Sequence, residues 1–398
     1  MKVLQINIRV NKGSVSRITE QIGIEVLNQG WESYIAYGRP SNPSMSQLIQ
    51  IGSYRGVKFH YLMSQLTGKH GHFSTSATKR LVKRIKGIGP DIIHLQNIHG
   101  YFLNYKVLFE YLNTTNIPVV WTLHDCWAFT GHCCYFDSVD CEKWKQGCYN
   151  CPLKKSYPRS FVFDWSKEEY ELKKRLFTQN KNIHFVPVSH WLEGLLKQSF
   201  LKDCDSLVIH NGIDLNVFKP YNHVTNDRVL ILGVANPWSK RKGLRDFYKL
   251  RNMLDINSYD MLLIGLNDNQ LKELPEGITG IKKTESLQEL AIYYSRADVF
   301  VNLTYADNFP TVNLEAQACG TPVITYRTGG SPEAIDKGTG IVVEQGNLQE
   351  VVEAIESIRL LAPEERRKQR ERCRKRAENN YEKNKCYKEY ISLYESLC

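Results

Sequence analysis

Short apolar runs alternate with longer stretches of helical period along the whole chain. In the first half the runs are Val3–Ile8, Ser33–Tyr37, Asp91–Leu95, Pro118–Leu123, Ile183–Ser189 and Ser206–His210. In the second they are Arg228–Val234, Asp260–Ile264, Asp298–Leu303, Thr321–Tyr326 and Gly340–Val343. Strands covered on both faces read as continuous β-branched and apolar runs, so the pattern predicts parallel α/β layers. No short-period repeat is present, and the twofold organisation is one of domains. The join is expected at Asn211–Pro220: Asn211-Gly212 is a turn signal, Pro220 stops regular structure, and polar Tyr221–Asn226 precedes the next strand. Ser41–His72 carries no clean period, which predicts a mobile excursion or a disordered surface loop. After Val343 the pattern is helical, ending in an amphipathic stretch, Tyr381–Leu397, with Tyr387, Tyr390, Ile391 and Tyr394 as its buried face.

The stretch Thr304–Ile324 reads as loop, short helix and strand between two buried runs. Asp307 or Asn308 is placed to cap the helix, Pro310 is tolerated in its first turn, and Gly320 follows its end. Such a turn aims backbone N–H groups at the carboxyl edge of a parallel sheet, where anionic ligands bind in open α/β folds. Asp307 falls in the loop and Glu315 one to two turns into the helix. Carboxylates accept hydrogen bonds from sugar hydroxyls, so a ligand with both phosphate and hydroxyl-rich rings satisfies the whole group. For each carboxylate alone, the competing reading is a helix cap or a solvated helix residue.

Asp307-x7-Glu315, followed by Ala316, Gly320-Thr321-Pro322-Val323-Ile324 and Gly329-Gly330-Ser331-Pro332-Glu333, resembles the E-x7-E signature of retaining family 4 glycosyltransferases of the GT-B fold, with Asp in the first position. The resemblance implies two Rossmann-like, doubly wound domains facing across a cleft: an acceptor-side domain over 1–215, a nucleotide-sugar domain over 216–378, and a last helix, 379–398, returning to the first domain. It also implies a reaction. A sugar passes from a nucleoside diphosphate sugar to a polysaccharide or lipid-linked acceptor, with Asp307 on the transferred sugar, Glu315 on the ribose, and the helix start at Phe309, Thr311 and Val312 near the diphosphate. Gly329 and Gly330 fall beside the donor phosphates.

Three further positions follow strand ends. Gly13, after the first strand, lets backbone approach a phosphate, with Ser14 or Ser16 as caps; the family often has two glycines here. A plain strand-to-helix turn explains Gly13 as well. His124 and Asp125 follow a buried strand, and the resemblance puts His124 by the donor sugar; a structurally satisfied His124 is the alternative. Lys240-Arg241-Lys242-Gly243 opens a helix, and cations there match a diphosphate. Lys242 aligns with the family's Lys-Gly lysine, whereas its upstream Arg is replaced by Asn236 or Pro237, leaving Arg241 as substitute. A solvated basic loop is the competing reading of this turn. No D-x-D for a diphosphate-bound metal is evident, since Asp203-x-Asp205 precedes an apolar strand, and no catalytic cofactor is expected.

The 398 residues suffice for two cores, and six of eleven cysteines fall between Cys126 and Cys151. Cys148-Tyr149-Asn150-Cys151 is a C-x2-C pair that grips one tetrahedral metal, and Cys133 or Cys134 with Cys141 completes four ligands. A structural zinc in an insertion over 126–152 is the reading, against unliganded thiols or a redox disulfide. Trp121–Cys133 through Pro152 also resembles a subgroup close to the colanic acid biosynthesis glycosyltransferases. The net charge of +10 gathers in Thr78–Lys86 and Arg366–Arg376. Each reads as a solvated helix face or as a surface for an anionic membrane or nucleic acid; for the first segment the resemblance favours a membrane surface, since the family's acceptors are often lipid-linked, and nucleic acid comes third because neither run is interleaved with stacking aromatics. No run is long and apolar enough to span a bilayer, and the N-terminus lacks a signal-peptide core, so a cytoplasmic, at most peripheral, protein is expected. The rival functions are a sugar-nucleotide epimerase on the same fold and a non-enzymatic zinc and nucleic-acid-binding protein.

Overall fold

The structure, a computed structural model, describes residues 1–221 and 228–398. The chain divides into two compact units, Met1–His210 with Cys386–Cys398, and Asn211–Lys385. In the first, β1 (Lys2–Asn7), β2 (Glu32–Tyr37), β3 (Gln47–Gln50), β4 (Ile92–Leu95), β5 (Val119–Leu123) and β6 (Ile183–Pro187) form one sheet in the order β3-β2-β1-β4-β5-β6. In the second, β7 (Val229–Val234), β8 (Tyr259–Ile264), β9 (Ile278–Ile281), β10 (Val299–Asn302), β11 (Val323–Tyr326) and β12 (Gly340–Val343) are ordered β12-β11-β10-β7-β8-β9. Every pairing in both sheets is parallel. Each sheet is therefore doubly wound, the Rossmann-like class that the apolar runs predict, and each has one point where the strand order reverses: between β1 and β4, and between β7 and β10. Ligands of such sheets bind outside the carboxyl ends of the strands at these points.

Buried Ile231, Met261, Leu263, Val301 and Ile324 from the second sheet pack with Phe247, Leu250 and Ile355 from its helices. In the first unit Val3, Ile92 and Val120 pack with Ile22, and with Tyr387, Tyr390, Ile391 and Tyr394 of the last helix, Lys383–Leu397.

Two expectations need correction. Ser206–His210 forms no strand; Ser206 makes a single bridge to Phe185, and Leu207 is exposed. Ser41–His72 is neither irregular nor disordered: it contains β3 and a helix, Tyr54–Thr67, whose first turn is capped by the Ser53 hydroxyl accepting from the Gly56 N–H at 3.2 Å. The helix period was hidden because this helix inverts the usual rule. His60, Ser64 and Gln65 are buried while Phe59, Leu62 and Leu66 face out. Strand β9 went unread because its Gly280 interrupts an already short run.

The two basic segments differ. Helix Thr75–Ile88 buries Thr78, Leu81 and Ile85 and exposes Lys79, Arg80, Lys83 and Arg84. In helix Pro363–Asn380, by contrast, Arg370, Arg374 and Arg376 donate to backbone carbonyls, among them those of Ala297 at 2.9 Å, Phe218 at 2.8 Å and Ala334 at 2.9 Å, so these three clamp the second unit's own loops. The polar stretch expected after Pro220 lies, from 222 to 227, outside the described residues. Among the described residues no helix is long and apolar enough to cross a membrane.

Candidate active site

The two strands that flank the reversal point of the second sheet, β7 and β10, each end in a loop that carries one member of a close pair. After β7 the chain turns through Lys240–Lys242 and Gly243 into helix Leu244–Met253. After β10 it runs through Thr304–Pro310 into helix Thr311–Ala318. The two loops are laced together: the Tyr305 N–H donates to the Arg241 carbonyl at 2.7 Å, and the Arg241 guanidinium donates to the Ala306 carbonyl. This brings the Lys242 ammonium to 2.5 Å from Asp307 Oδ2, with both side chains largely buried. Arg241 is thus a strut of the loop as well as a cation at its edge.

Gly243 fixes this approach. Its φ is +73°, and a Cβ there would stand 2.0 Å from the Leu303 carbonyl oxygen. Gly243→Ala is expected to cost at least ~1 kcal/mol for the left-handed backbone alone and more for the clash. Thermal unfolding reads that loss. A variant as stable as the parent would show that the turn is not pinned against β10.

Helix Thr311–Ala318 starts differently from the expectation. Pro310 holds the N-cap position and no side chain caps it; Asp307 is engaged by Lys242 instead. The first N–H groups of a helix lack intrahelical partners, so those of Thr311 and Val312 remain as donors at the sheet's carboxyl edge. Phe309 is buried, its ring beside Tyr381 and its carbonyl taking a hydrogen bond from Asn211 Nδ2 at 3.2 Å, which anchors the loop rather than offering the side chain to a ligand. Glu315 sits one turn on and accepts from the Tyr294 hydroxyl at 3.1 Å. Burial, and then the Glu315 carboxylate, hold the Tyr294 phenol well above its ordinary range, so it stays a donor. Tyr294 was not singled out from sequence, because a Tyr in an amphipathic helix carries no distinguishing signal. Gly329, with φ +53°, and Gly330 lead from β11 into the short turn Ser331–Ala334, where Pro332 is second and Ser331 makes no cap. Asp246, buried, takes hydrogen bonds from Tyr305 at 2.5 Å and Tyr326 at 3.0 Å and stiffens the same edge.

The comparisons with known proteins bear on this site. The family model described as Glycosyltransferase Family 4 matches residues 15–217, and that described as Glycosyl transferases group 1 matches residues 227–360. The chain belongs to glycosyltransferase family 4. The Escherichia coli K12 chain that carries the name of a colanic acid biosynthesis glycosyl transferase, WcaC, is 23% identical over 378 residues, 89% of this transferase and 90% of that chain. Among solved structures, sucrose-phosphate synthase from Thermosynechococcus elongatus superposes with a TM-score of 0.73 at 18% identity, covering 100% of this chain and 99% of that one. Anabaena HepE, solved in complex with UDP and with UDP-glucose, superposes at 0.67 and 0.66, 13% identical, over the whole of both chains. The fold is thus that of GT-B glycosyltransferases.

In the first unit of the transferase, Gly13 is exposed at the N-cap of helix Ser14–Asn28 with φ +89°; neither Ser14 nor Ser16 caps, and a Cβ at Gly13 would meet nothing within 4 Å. It permits the turn without being crowded. His124, just past β5, is buried and bound through Nε2 to Gln96 Oε1 at 2.8 Å. The Gln96 amide then donates to Gln5 Oε1 at 3.1 Å and to His94 Nε2 at 3.2 Å, and His94 Nδ1 meets the Tyr394 hydroxyl at 2.6 Å. One orientation of Gln96 therefore sets both tautomers: His124 carries its proton on Nε2 and His94 on Nδ1. Burial lowers both pKa values, to about 4 for His124 and about 3 for His94, so both rings are neutral near pH 7. His99, after β4, pairs through Nε2 with Asp125 Oδ2 at 2.8 Å. Burial opposes the Asp125 charge, but His99 and the Trp127 N–H outweigh it and hold the carboxyl below its usual value. His99 follows a strand end as His124 does, and that shared placement was its overlooked signal.

Proposed function

We propose that the chain is a retaining glycosyltransferase that moves a sugar from a nucleoside diphosphate sugar to a polysaccharide or lipid-linked acceptor in bacterial surface polysaccharide synthesis. The observation that carries the reading is the Lys242–Asp307 pair beside an uncapped helix start at the reversal point of the second sheet. As the diphosphate leaves the anomeric carbon, negative charge grows on the leaving oxygen. Fixed donors stabilise it: the Lys242 ammonium and the N–H groups of Thr311 and Val312, with the Arg241 cation beside them. Asp307 and Glu315 accept from hydroxyls, the former of the transferred sugar and the latter of the ribose. The names borne by WcaC and by a Staphylococcus aureus capsular polysaccharide biosynthesis glycosyltransferase, CapM, support the polysaccharide acceptor, and the HepE complexes make uridine diphosphate the first nucleotide to try. The exposed cations of helix Thr75–Ile88 suit an anionic membrane face carrying a lipid-linked acceptor.

Thermal unfolding with UDP, GDP, ADP or CMP tests the donor site, since a nucleotide at about a hundred times its dissociation constant adds ~2.7 kcal/mol of stability. One nucleotide is expected to shift the transition. Glu315→Ala should remove ~1.5–3 kcal/mol of that nucleotide's binding, as for a hydrogen bond to a charged group. Full binding in the folded variant would sink the ribose assignment, and no shift with any nucleotide would sink the donor site.

A further inference from the structure

The cysteine-rich window between β5 and helix Ser166–Gln179 is built of three short turns, Trp127–Phe129, Asp137–Val139 and Lys143–Lys145, with no strand in it. Its thiols are nevertheless placed with care. Those of Cys133 and Cys151 hydrogen-bond each other. The Gly131 N–H donates to Cys148 Sγ at 3.1 Å, and the Leu153 N–H donates to Cys151 Sγ. Gly131 is needed for this: a Cβ there would stand 1.9 Å from the Ser166 carbonyl oxygen and 2.7 Å from Cys148 Cβ. Backbone N–H groups aimed at sulfur are what a thiolate requires and what a neutral thiol, a weak acceptor, does not. Beneath the window lies Lys173, fully buried, its ammonium donating to the Trp127 and Thr130 carbonyls at 2.8 and 3.0 Å. Among the described residues it has no carboxylate partner at ion-pair distance. Burying a cation is costly, and of the negative groups that act on it the Glu169 carboxylate comes first, followed by the sulfurs of Cys134, Cys148 and Cys133.

We propose that Cys133, Cys141, Cys148 and Cys151 hold a structural zinc ion, with Lys173 offsetting part of the negative charge of the thiolate cage. The C-x2-C pair grips one edge of the tetrahedron, and Cys133 already touches Cys151. A second set of donors competes: His99, Asp125 and Cys134 have ligand atoms all within 4.8 Å of one another, and among the described residues they form such a set where the four cysteines do not. The surroundings favour the cysteines. His99 is satisfied on both nitrogens, by Asp125 at 2.8 Å and by the Tyr157 hydroxyl at 3.0 Å, and Asp125 Oδ1 takes the Trp127 N–H at 2.9 Å. That net is closed by direct hydrogen bonds. The cysteine window has N–H groups on sulfur and a buried cation beneath it, and binding draws its remaining thiols in toward the Cys133–Cys151 contact. Structure in this window then depends on the metal, as it does for small metal-built loops.

Elemental analysis of protein purified without chelator is expected to find about one zinc per chain. Cys148→Ser with Cys151→Ser should abolish it, while His99→Ala should retain it. Where the double variant fails to fold, cobalt substitution of the parent protein serves instead: intense sulfur-to-cobalt charge transfer is expected, with four thiols protected from alkylation. Absence of stoichiometric zinc, retention of zinc by the folded double variant, loss of zinc in His99→Ala, or a Cys133–Cys151 disulfide in the native protein would each overturn the proposal.

Discussion

Lys242→Ala is expected to lower kcat/KM for sugar transfer about 10- to 150-fold, the equivalent of ~1.5–3 kcal/mol for a hydrogen bond to a charged group. The lysine has two tasks that the geometry ties together. It holds Asp307 Oδ2 at 2.5 Å, and its charge lies against the loop that leads into the uncapped helix start. Lys242→Arg keeps the charge but trades a compact ammonium for a wide fork, so it should recover donor binding better than transfer. Removing the lysine also strands a largely buried Asp307, so thermal unfolding of the variant without ligand must be measured alongside. Unchanged kcat/KM in a folded Lys242→Ala protein would remove the residue from the site.

Acid should weaken the first unit steeply. Burial lowers the pKa values of His60, His70 and His94 to about 3 and that of His124 to about 4. In the unfolded chain these rings titrate near 6.5, so as the pH falls below that value the unfolded state takes up protons that the folded state refuses. Their contribution is thus fully present above about pH 6.5 and is lost progressively down toward pH 4 and 3. Each ring adds about 1.4 kcal/mol per pH unit to the slope within that window. Chemical denaturation at a series of pH values measures it. His94→Gln should flatten the slope by about one ring's share, and an identical slope would mean that His94 is not held neutral in the fold.

What could be read from the chain, and what could not, divides along physical lines. Strands such as β5 and β10 are legible because a β-branched, apolar run has few other fates. Lys242 and Asp307 were legible as candidates because polar residues directly after such runs lie at the carboxyl edge. Their contact was not, since it arises from β7 and β10 being neighbours, a fact of topology and not of local pattern. Local pattern also misled where tertiary packing overrode it. Helix Tyr54–Thr67 buries His60 and Ser64 and exposes Phe59 and Leu62, so its moment points the wrong way. Asp307 looked like a helix cap by position, but the partly buried ammonium of Lys242 is a stronger partner than a backbone N–H. The arginines of Pro363–Asn380 looked like a surface charge run; several reach carbonyls that no sequence window links to them.

The last helix closes the core around His94 with Tyr390 and Tyr394, hundreds of residues after β1 begins that core. During synthesis, at about 5–20 residues per second, the whole of Asn211–Lys385 emerges before those tyrosines do. The second unit can therefore fold on the ribosome while the first is still lacking a wall, with Val3, Ile92 and Val120 uncovered on one side. The order of folding is expected to run opposite to the order of translation, and the nascent first unit is the species that most needs a chaperone.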